Sequence, residues 1–133
     1  MNEEMVRKFE LTIPIERSIQ AELLLLLGQR PSHGYELIQR LSEADFKSGE
    51  ADAATVYRNL RRMDKDGLIK SHWEVGETGP GRRLYELTPH GEASLKVWAQ
   101  YITLQKVQLE NFLQTYFQFE KSLSLREDGV NLT

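Results

Sequence analysis

The last third of the chain carries apolar residues at spacings that alternate between three and four, from Leu95 to Leu123, with Gln105 as the only interruption. This repeat predicts one long helix that buries a stripe of side chains against another helix. The helix can begin at Pro89, a residue suited to a first turn, and no proline follows it. At 1.5 Å per residue it would be about 50 Å long, which is more than a few short helices can cover. A second copy of the chain is the simplest partner, and packing against Ile13–Leu27 of the same chain is the alternative.

The side chains that the repeat assigns to a dimer interface share one face of this helix. They are Leu95, Trp98, Ile102, Leu109, Phe112, Tyr116 and Phe119. We therefore expect a homodimer that associates through residues 88–125. Residues 126–133 are mostly polar and are predicted to form a flexible tail.

Two shorter helices are predicted near the start of the chain. Pro14 favours a helix start, and Ile15–Leu27 is apolar on most faces, so that we expect this helix to be largely buried and to be stopped by Gly28 and Pro31. Ser32 can cap the second helix, which is predicted to end near Ser42. Its apolar residues form a one-sided stripe, namely Tyr35, Leu37, Ile38 and Leu41.

A third helix has clear boundaries and two different faces. Asp52 is suited to its N-cap, and Gly67 is suited to a left-handed C-terminal cap with Leu68 packing behind it. One face is predicted to join the core through Ala53, Val56, Leu60 and Met63. The opposite face carries Ala54, Arg58, Arg61 and Lys65.

A β-hairpin is predicted after the third helix. Ile69–Val75 alternates apolar and polar residues in the manner of a half-buried strand, with Ser71 out of pattern. The connection Gly76–Gly81 is rich in turn-forming residues, and Arg82–Leu87 resumes as a second strand. Thr88 can then cap the long helix.

The order helix, helix, helix, hairpin, helix predicts a mainly α fold with a small β-hairpin, a winged helix-turn-helix joined to a long C-terminal helix. In that fold the third helix enters the major groove of DNA, and the hairpin tip, or wing, reaches the backbone or the minor groove. The predicted parts are an N-terminal extension of unassigned role at 1–14, a winged helix-turn-helix DNA-binding domain at 15–87, the dimerisation helix at 88–125 and the tail.

The charge is unevenly distributed along the chain. The net charge is −3, but residues 52–85 contain seven basic and five acidic residues, so that this segment is +2 and the remainder is −5. A basic segment attracts nucleic acid. A solvated helix face carries similar charge runs, so that charge alone leaves both interpretations open.

The candidate DNA-binding residues lie in the first turns of the third helix and in the wing. They are Ala54, Thr55, Tyr57, Arg58, Arg61, Arg62, Gly79, Gly81, Arg82 and Arg83. Arginine offers the best donor fork for bases and phosphates, and Arg58 is the first candidate for a base contact. Tyr57 is the candidate for a phosphate contact. The glycines would let backbone amides approach a phosphate.

Several classes of function are disfavoured. The chain contains no cysteine, which excludes disulfides, thiolate nucleophiles and cysteine-ligated zinc. His33, His72 and His90 lack metal-binding spacing, and no nucleophile motif or phosphate-binding loop is present, so that we expect neither an enzyme nor a cofactor. The longest apolar run, Ala21–Leu27 with Glu22 inside it, is too short to cross a membrane, and the N-terminus does not resemble a signal peptide. A cytoplasmic protein is expected.

Three segments in register are similar to those of the PadR-type transcriptional regulators. They are residues 33–38 (HGYELI), 55–69 (TVYRNLRRMDKDGLI) and 79–91 (GPGRRLYELTPHG). The chain resembles this family over about Ile19–Tyr101, and most closely its branch of poly-hydroxybutyrate-responsive repressors, which have a similar ELIQRL segment and a tryptophan near position 98. The chain departs from the common pattern at Ala53-Ala54, where Pro-Gly is frequent.

The resemblance implies a homodimer on an inverted repeat of double-stranded DNA, with an interface formed by helix four and often helix one. It also implies repression that is relieved by a small molecule or another inducer. Aromatic rings in the apolar stripe of the long helix could leave a gap for an aromatic or lipophilic effector. Trp98 is the candidate contact, although packing alone would also explain these rings. A protein-interaction module and non-specific binding of nucleic acid, including RNA, are the alternative functions.

Overall fold

The predicted order of elements is confirmed, and one short strand is added to it. The computed structural model of the chain describes residues 16–47, 51–76, 79 and 81–131. The predicted helix start at Pro14, the N-terminal extension and three residues of the wing loop (Glu77, Thr78 and Pro80) lie outside the described residues. The elements are α1 (Glu16–Gln29), β1 (Ser32–His33), α2 (Gly34–Glu43), α3 (Ala53–Lys65), β2 (Ile69–Glu74), β3 (Arg82–Leu87) and α4 (Pro89–Asn131).

The core is built mainly from α1, α2 and α3 under the sheet. Each fully buried leucine, isoleucine or methionine contributes about 1.5–3 kcal/mol by leaving water. The apolar residues of the core are Ile19, Ala21, Leu23, Leu24, Leu26, Leu27, Leu37, Leu41, Val56, Leu60, Met63, Leu68, Ile69 and Tyr85. The prediction that Ala53 joins the core is wrong: Ala53 is exposed because it opens α3 one turn before the core begins at Val56. Tyr35, which belongs to the predicted apolar stripe of α2, is exposed beside the wing.

Strand β1 replaces the predicted cap at Ser32. Ser32 is fully buried and pairs with Tyr85 of β3, whereas His33 pairs with Leu84 and occupies the N-cap position of α2. The side chain of Glu36 accepts a hydrogen bond of 2.9 Å from the backbone N–H of His33. Only the distant strand β3 makes β1 a strand, which is why the local pattern missed it.

The predicted boundaries of α3 are confirmed. The Asp52 side chain accepts a hydrogen bond of 2.8 Å from the backbone N–H of Thr55, and side-chain and backbone bonds with Thr55 hold the pKa of this carboxyl below its usual value. At the other end Gly67 has a φ of 76°, a conformation that glycine adopts without steric cost. The N–H of Leu68 then bonds to the Met63 carbonyl at 2.9 Å, which closes the helix.

The end of α1 is held by Arg40 of α2. Helix α1 continues one residue past Gly28 to Gln29 and so ends between the two residues predicted to stop it, Gly28 and Pro31. The guanidinium of Arg40 donates to the Leu26 carbonyl at 2.9 Å, to Gln29 Oε1 at 3.0 Å and to Ser32 Oγ at 2.7 Å. A cation at a helix C-terminus also interacts favourably with the helix dipole. One side chain therefore joins α1, β1 and α2.

Helix α4 begins at the predicted cap but extends further than predicted. Thr88 Oγ1 accepts from the Gly91 N–H at 3.0 Å and lies 2.9 Å from the Leu68 carbonyl, which ties the first turn of α4 to the start of β2. The helix passes Leu123 and ends at Asn131, so that most of the predicted tail is helical. Extending an existing helix through residues such as leucine, arginine and glutamate costs little.

The chain divides into two compact units, the first ending at Lys96 and the second beginning at Val97. In the second unit every described side chain from 101 to 127 is exposed. At 1.5 Å per residue the 43-residue α4 is about 65 Å long. Among the described residues, no helix combines the length and the apolar character that a membrane crossing requires.

We expect Arg40→Ala to lower the free energy of unfolding by about 1–3 kcal/mol, because the buried Ser32 hydroxyl and the α1 carbonyl lose a charged donor. Urea unfolding measures this change. Arg40→Lys should recover only part of it, since one ammonium cannot reach three acceptors. The exposed Arg126→Ala is the control and should change little; equal loss in both alanine variants would contradict the role of Arg40.

Candidate nucleic-acid interface

The predicted contact residues of α3 lie on its surface, away from the core stripe. Ala54, Arg58, Arg61 and Arg62 are exposed, and Thr55 is half-buried. The Thr55 carbonyl accepts a hydrogen bond of 2.8 Å from the Asn59 amide. The first three turns of α3 thus present three guanidinium groups to solvent.

The side chain of Tyr57 is packed against α2 and is less accessible than its predicted phosphate contact suggests. Its side chain is 38% exposed, and its ring lies over Gly34 at the start of α2. A Cβ atom at position 34 would stand 2.9 Å from the Tyr57 hydroxyl oxygen. The phenol, predicted to contact a phosphate, is therefore held at the junction of α2 and α3.

The two wing arginines lie on opposite faces of the sheet. In the antiparallel register of β2 and β3, Trp73 is opposite Arg83, and Glu74 is opposite Arg82. Because side chains alternate along a strand, Arg83 shares its face with Tyr85, and Arg82 points to the other face. The Arg83 face is the one packed on α3, since Ser71 Oγ on that face donates to Asp64 Oδ2 of α3 at 3.0 Å.

On the other face, a polar cluster fastens the wing to the start of α2. Arg82 donates to the Tyr35 hydroxyl at 3.0 Å, and its guanidinium carbon lies 5.3 Å from the centre of that ring. The His33 ring stacks on Tyr35, with ring centres 5.6 Å apart. His33 Nε2 is 2.9 Å from Glu74 Oε2, and its Nδ1 is hydrogen-bonded to Glu36. These five side chains tie β2 and β3 to β1 and α2.

Glu36 has a lowered pKa within this cluster. The backbone N–H of His33 is the main cause, followed by the hydrogen bond with the His33 side chain. Sequence reasoning assigned His33 and Tyr35 no site role and left Glu74 unused. His33 and Glu74 are 41 residues apart, and only the 33–38 motif gave a signal that could have identified part of the cluster.

On the α3 side of the wing, Trp73 and Arg83 form a pair. The Arg83 guanidinium carbon lies 5.1 Å from the centre of the Trp73 ring. Trp73 is 62% exposed and Val75 is 86% exposed, so that the prediction of a strand half-buried along its whole length is wrong at this end. The strand pair continues past the part of the sheet that α3 covers, which leaves these residues in solvent.

The described glycines of the wing tip suit a tight connection. Gly79 has a φ of 103°, a backbone conformation that residues with a Cβ atom rarely adopt. A Cβ at Gly81 would lie 3.2 Å from the Glu74 carbonyl oxygen, so that the two strands approach closely here. The tip is therefore narrow where it leaves the sheet.

Tyr85 marks the point at which α3 and the wing meet. It is 6% exposed, and this burial raises the pKa of its phenol, while the positive charges of Arg83 and Arg61 act in the opposite direction. Tyr57 and Asp64 act on this pKa in the same direction as burial. One cation of the third helix, Arg61, and one cation of the wing, Arg83, therefore influence the same phenol.

The predicted dimer residues differ in their surroundings. Leu95 and Trp98 are half-buried, whereas the other five are exposed within one chain, namely Ile102, Leu109, Phe112, Tyr116 and Phe119. The Trp98 and Tyr101 rings meet edge to face, with centres 6.2 Å apart. The Tyr116 hydroxyl donates to Glu120 Oε2 at 3.0 Å, so that its polar end is satisfied beside the apolar stripe.

An open cavity of about 550 Å³ lies between α2 and the start of α3. Tyr35, Ile38, Lys47 and Thr55 are among its lining residues, and the candidate effector contact Trp98 is not one of them. Within the described part of the chain, no three histidine, aspartate or glutamate side chains are grouped to hold a metal ion.

Known proteins share this sequence pattern and fold. The pattern of the family described as "Transcriptional regulator PadR-like family" matches residues 23–97, more than half of the chain. A transcriptional regulator of Mycobacterium tuberculosis is 32% identical over 78 residues, which cover 59% of this chain and 69% of that protein.

Solved structures give the same result for the fold. A PadR family transcription regulator of Clostridium difficile superposes with a TM-score of 0.64 and 28% identity, over 71% of this chain and 97% of that one. Bacillus subtilis PadR in complex with operator DNA is 23% identical, with a TM-score of 0.58 over 65% of this chain and 48% of that one, and supports the fold alone. Both the predicted winged-helix fold and the expectation of a regulator rather than an enzyme are confirmed, and the chain belongs to the PadR-like family of transcriptional regulators.

Proposed function

We propose that this chain binds double-stranded DNA in a sequence-specific manner and represses transcription as a homodimer on an inverted repeat, until an inducer releases it. The observation that carries the proposal is the exposed arginine face of α3 beside the wing face that carries Arg83, which packs on α3 through the hydrogen bond between Ser71 and Asp64. Two basic elements on one side of the molecule match the charge of a DNA backbone.

The individual roles follow from where each side chain lies. Arg58 reads a base edge in the major groove, and Arg61 and Arg62 bind phosphates beside it. Ala54 and Thr55, at the start of α3, come close to the bases because they are small. Bacillus subtilis PadR, a protein of the same fold, has been solved in complex with operator DNA, which supports the choice of DNA as the partner.

The wing follows the backbone next to the recognition helix. Gly79 and Gly81 let the main chain approach a phosphate, and Arg83 reaches the backbone or the minor groove. Tyr57 of α3 contributes a phosphate contact from the junction of α2 and α3. Arg82 flanks the groove while its bond to Tyr35 holds the base of the wing in place.

We expect Arg58→Ala to relax base preference at one operator position, at a cost of about 1–3 kcal/mol in specific binding if the contact is bidentate. Arg83→Ala should weaken all sequences alike and lower the slope of affinity against salt by about 1. Fluorescence anisotropy measures both on fragments of the adjoining promoter and on scrambled duplexes.

Arg58→Lys is the matched control, because it keeps the charge and loses the planar fork. It should retain non-specific binding and lose base preference. Equal affinity of the unaltered chain for every duplex would support non-specific binding instead. Uniform losses in the Arg58 and Arg83 variants would contradict the assigned roles.

The dimer is supported by the exposed stripe on α4. A monomer that leaves Ile102, Leu109, Phe112 and Phe119 in water presents an apolar strip unusual for a soluble protein. The spacing of three and four suits pairing with an identical helix. Two copies related by a two-fold axis would also present two recognition helices to an inverted repeat.

We expect Phe112→Asp to yield monomers in sedimentation velocity and to weaken operator binding, since a buried carboxylate opposes the interface. Gln114→Asp is the matched control, because two residues turn the helix by about 200° and place this charge on the opposite side. A Phe112→Asp variant that stays dimeric would remove this part of α4 from the interface.

The inducer is the remaining part of the proposal. Trp98 is half-buried and meets the Tyr101 ring edge to face, and flat rings packed in a seam can admit a flat ligand. The ELIQRL segment at 36–41 and Trp98 favour assignment to the poly-hydroxybutyrate-responsive branch. An aromatic or lipophilic ligand is therefore proposed to bind beside Trp98 and release DNA.

A panel of aromatic and lipophilic compounds, including 3-hydroxybutyrate oligomers, tests this part. We expect at least one compound to change tryptophan emission and to lower operator affinity in the same concentration range. Trp98→Phe should remove the emission change. A panel that leaves both emission and affinity unchanged would count against a ligand at this site.

A further inference from the structure

The exposed indole of Trp73 lies on the same side of the wing as α3. Trp73 follows Ser71 by two residues along β2, so that both side chains point to one face of the sheet. Ser71 bonds to Asp64 of α3 on that face, whereas Trp73, two positions nearer the tip, is 62% exposed. The ring therefore extends the surface that begins at the recognition helix.

The indole is paired with a cation directly across the strands. Trp73 and Arg83 are register partners, and the guanidinium carbon lies 5.1 Å from the ring centre. A ring that faces a guanidinium restricts the directions in which the arginine can extend. The pair presents one apolar surface, one indole N–H donor and one positive charge side by side.

The second cation–ring pair of the wing is built differently. Arg82 lies over Tyr35 and also donates to the Tyr35 hydroxyl, and the His33 ring stacks against Tyr35 beside it. That pair joins the wing to α2. Trp73 and Arg83 are on the opposite face, and within the described part of the chain no hydrogen bond or ring contact joins this pair to a helix as Arg82 is joined to α2.

We propose that Trp73 is a DNA contact of the wing, with its indole against the deoxyribose–phosphate backbone that borders the minor groove and Arg83 beside it on a phosphate. This inference rests on the proposed function. The chemistry suits the occupant: a sugar edge offers an apolar surface, and a phosphate accepts from both the indole N–H and the guanidinium. The arginines of α3 on the same side favour a polyanion over an uncharged ligand or a protein partner.

The position also predicts the kind of contact. Wing residues reach the backbone and the minor groove, where little base identity can be read. Trp73 should therefore strengthen binding to all duplexes and leave base preference unchanged. In this respect it should resemble Arg83 and differ from Arg58.

The test uses the full-length protein, a promoter duplex and a scrambled duplex. We expect Trp73→Ala to weaken both complexes about two- to ten-fold, the range of one net hydrogen bond from the indole N–H to a phosphate. Arg83→Ala in the Trp73→Ala background should then cost less than it does alone, because the two side chains act as a pair. His72→Ala, an exposed change on the other face of β2, is the matched control and should bind as the unaltered chain does.

Fluorescence supplies a second measurement that does not depend on the alanine variant. The chain contains two tryptophans, Trp73 and Trp98. We expect DNA to protect the unaltered protein from acrylamide quenching and to give little protection in Trp73→Phe, which keeps a ring at this position. Circular dichroism checks that each variant is folded.

The outcomes separate this inference from the proposed function. If labelled DNA binds normally while Trp73→Ala keeps full affinity and quenching is unchanged, Trp73 is not a contact and the DNA-binding function stands. If neither duplex binds the unaltered protein, both proposals are overturned. If an added protein or lipophilic ligand protects Trp73 and DNA does not, the occupant is wrong.

Discussion

Strand β3 is paired on both of its edges, and the geometry of the candidate interface depends on that pairing. Tyr85 lies opposite Ser32 of β1 on one side and opposite Ser71 of β2 on the other. A hairpin alone would be marginally stable and free to tilt, whereas a third strand and a buried aromatic side chain fix it to the helices. The wing is therefore an extension of a sheet that is rooted between α2 and α3.

The two faces of that sheet have different tasks. One face carries Arg82 and Glu74, which bind Tyr35 and His33 at the start of α2. The other face packs on α3 near its root and presents Trp73 and Arg83 beyond it. Because strand side chains alternate, two adjacent arginines can serve these different purposes: Arg82 holds the wing in place, and Arg83 faces outward on the side of α3.

Helix α4 presents a separate physical problem. Its first turns are tied to the first unit through Thr88, while the described side chains from 101 to 127 are exposed to solvent. Phe112 is 68% exposed, and other apolar residues of this helix are exposed as well. Burial of this stripe by a second copy would couple folding of the far end of α4 to association, since the free energy comes from the same removal of apolar area from water.

Elements whose signals are local could be predicted from the amino-acid sequence. The caps of α3 at Asp52 and Gly67, the start of α4 at Thr88, the basic face of α3 and the heptad spacing of α4 all depend on residues within a few positions of one another. The winged-helix assignment was also supported by three family motifs that occur in register. Local patterns could not locate the end of α4, since continuing a helix requires no specific stop signal.

Features that join distant parts of the chain could not be predicted from local sequence patterns. Strand β1, the contact of Arg82 with Tyr35 and the bond of His33 with Glu74 connect residues more than 40 positions apart. Alternation along β2 indicated which face Trp73 occupies, but not where α3 stops covering that face, and so burial was predicted where the ring is exposed. The physical reason is general: periodicity specifies direction within one element, while burial and pairing depend on what other elements bring beside it.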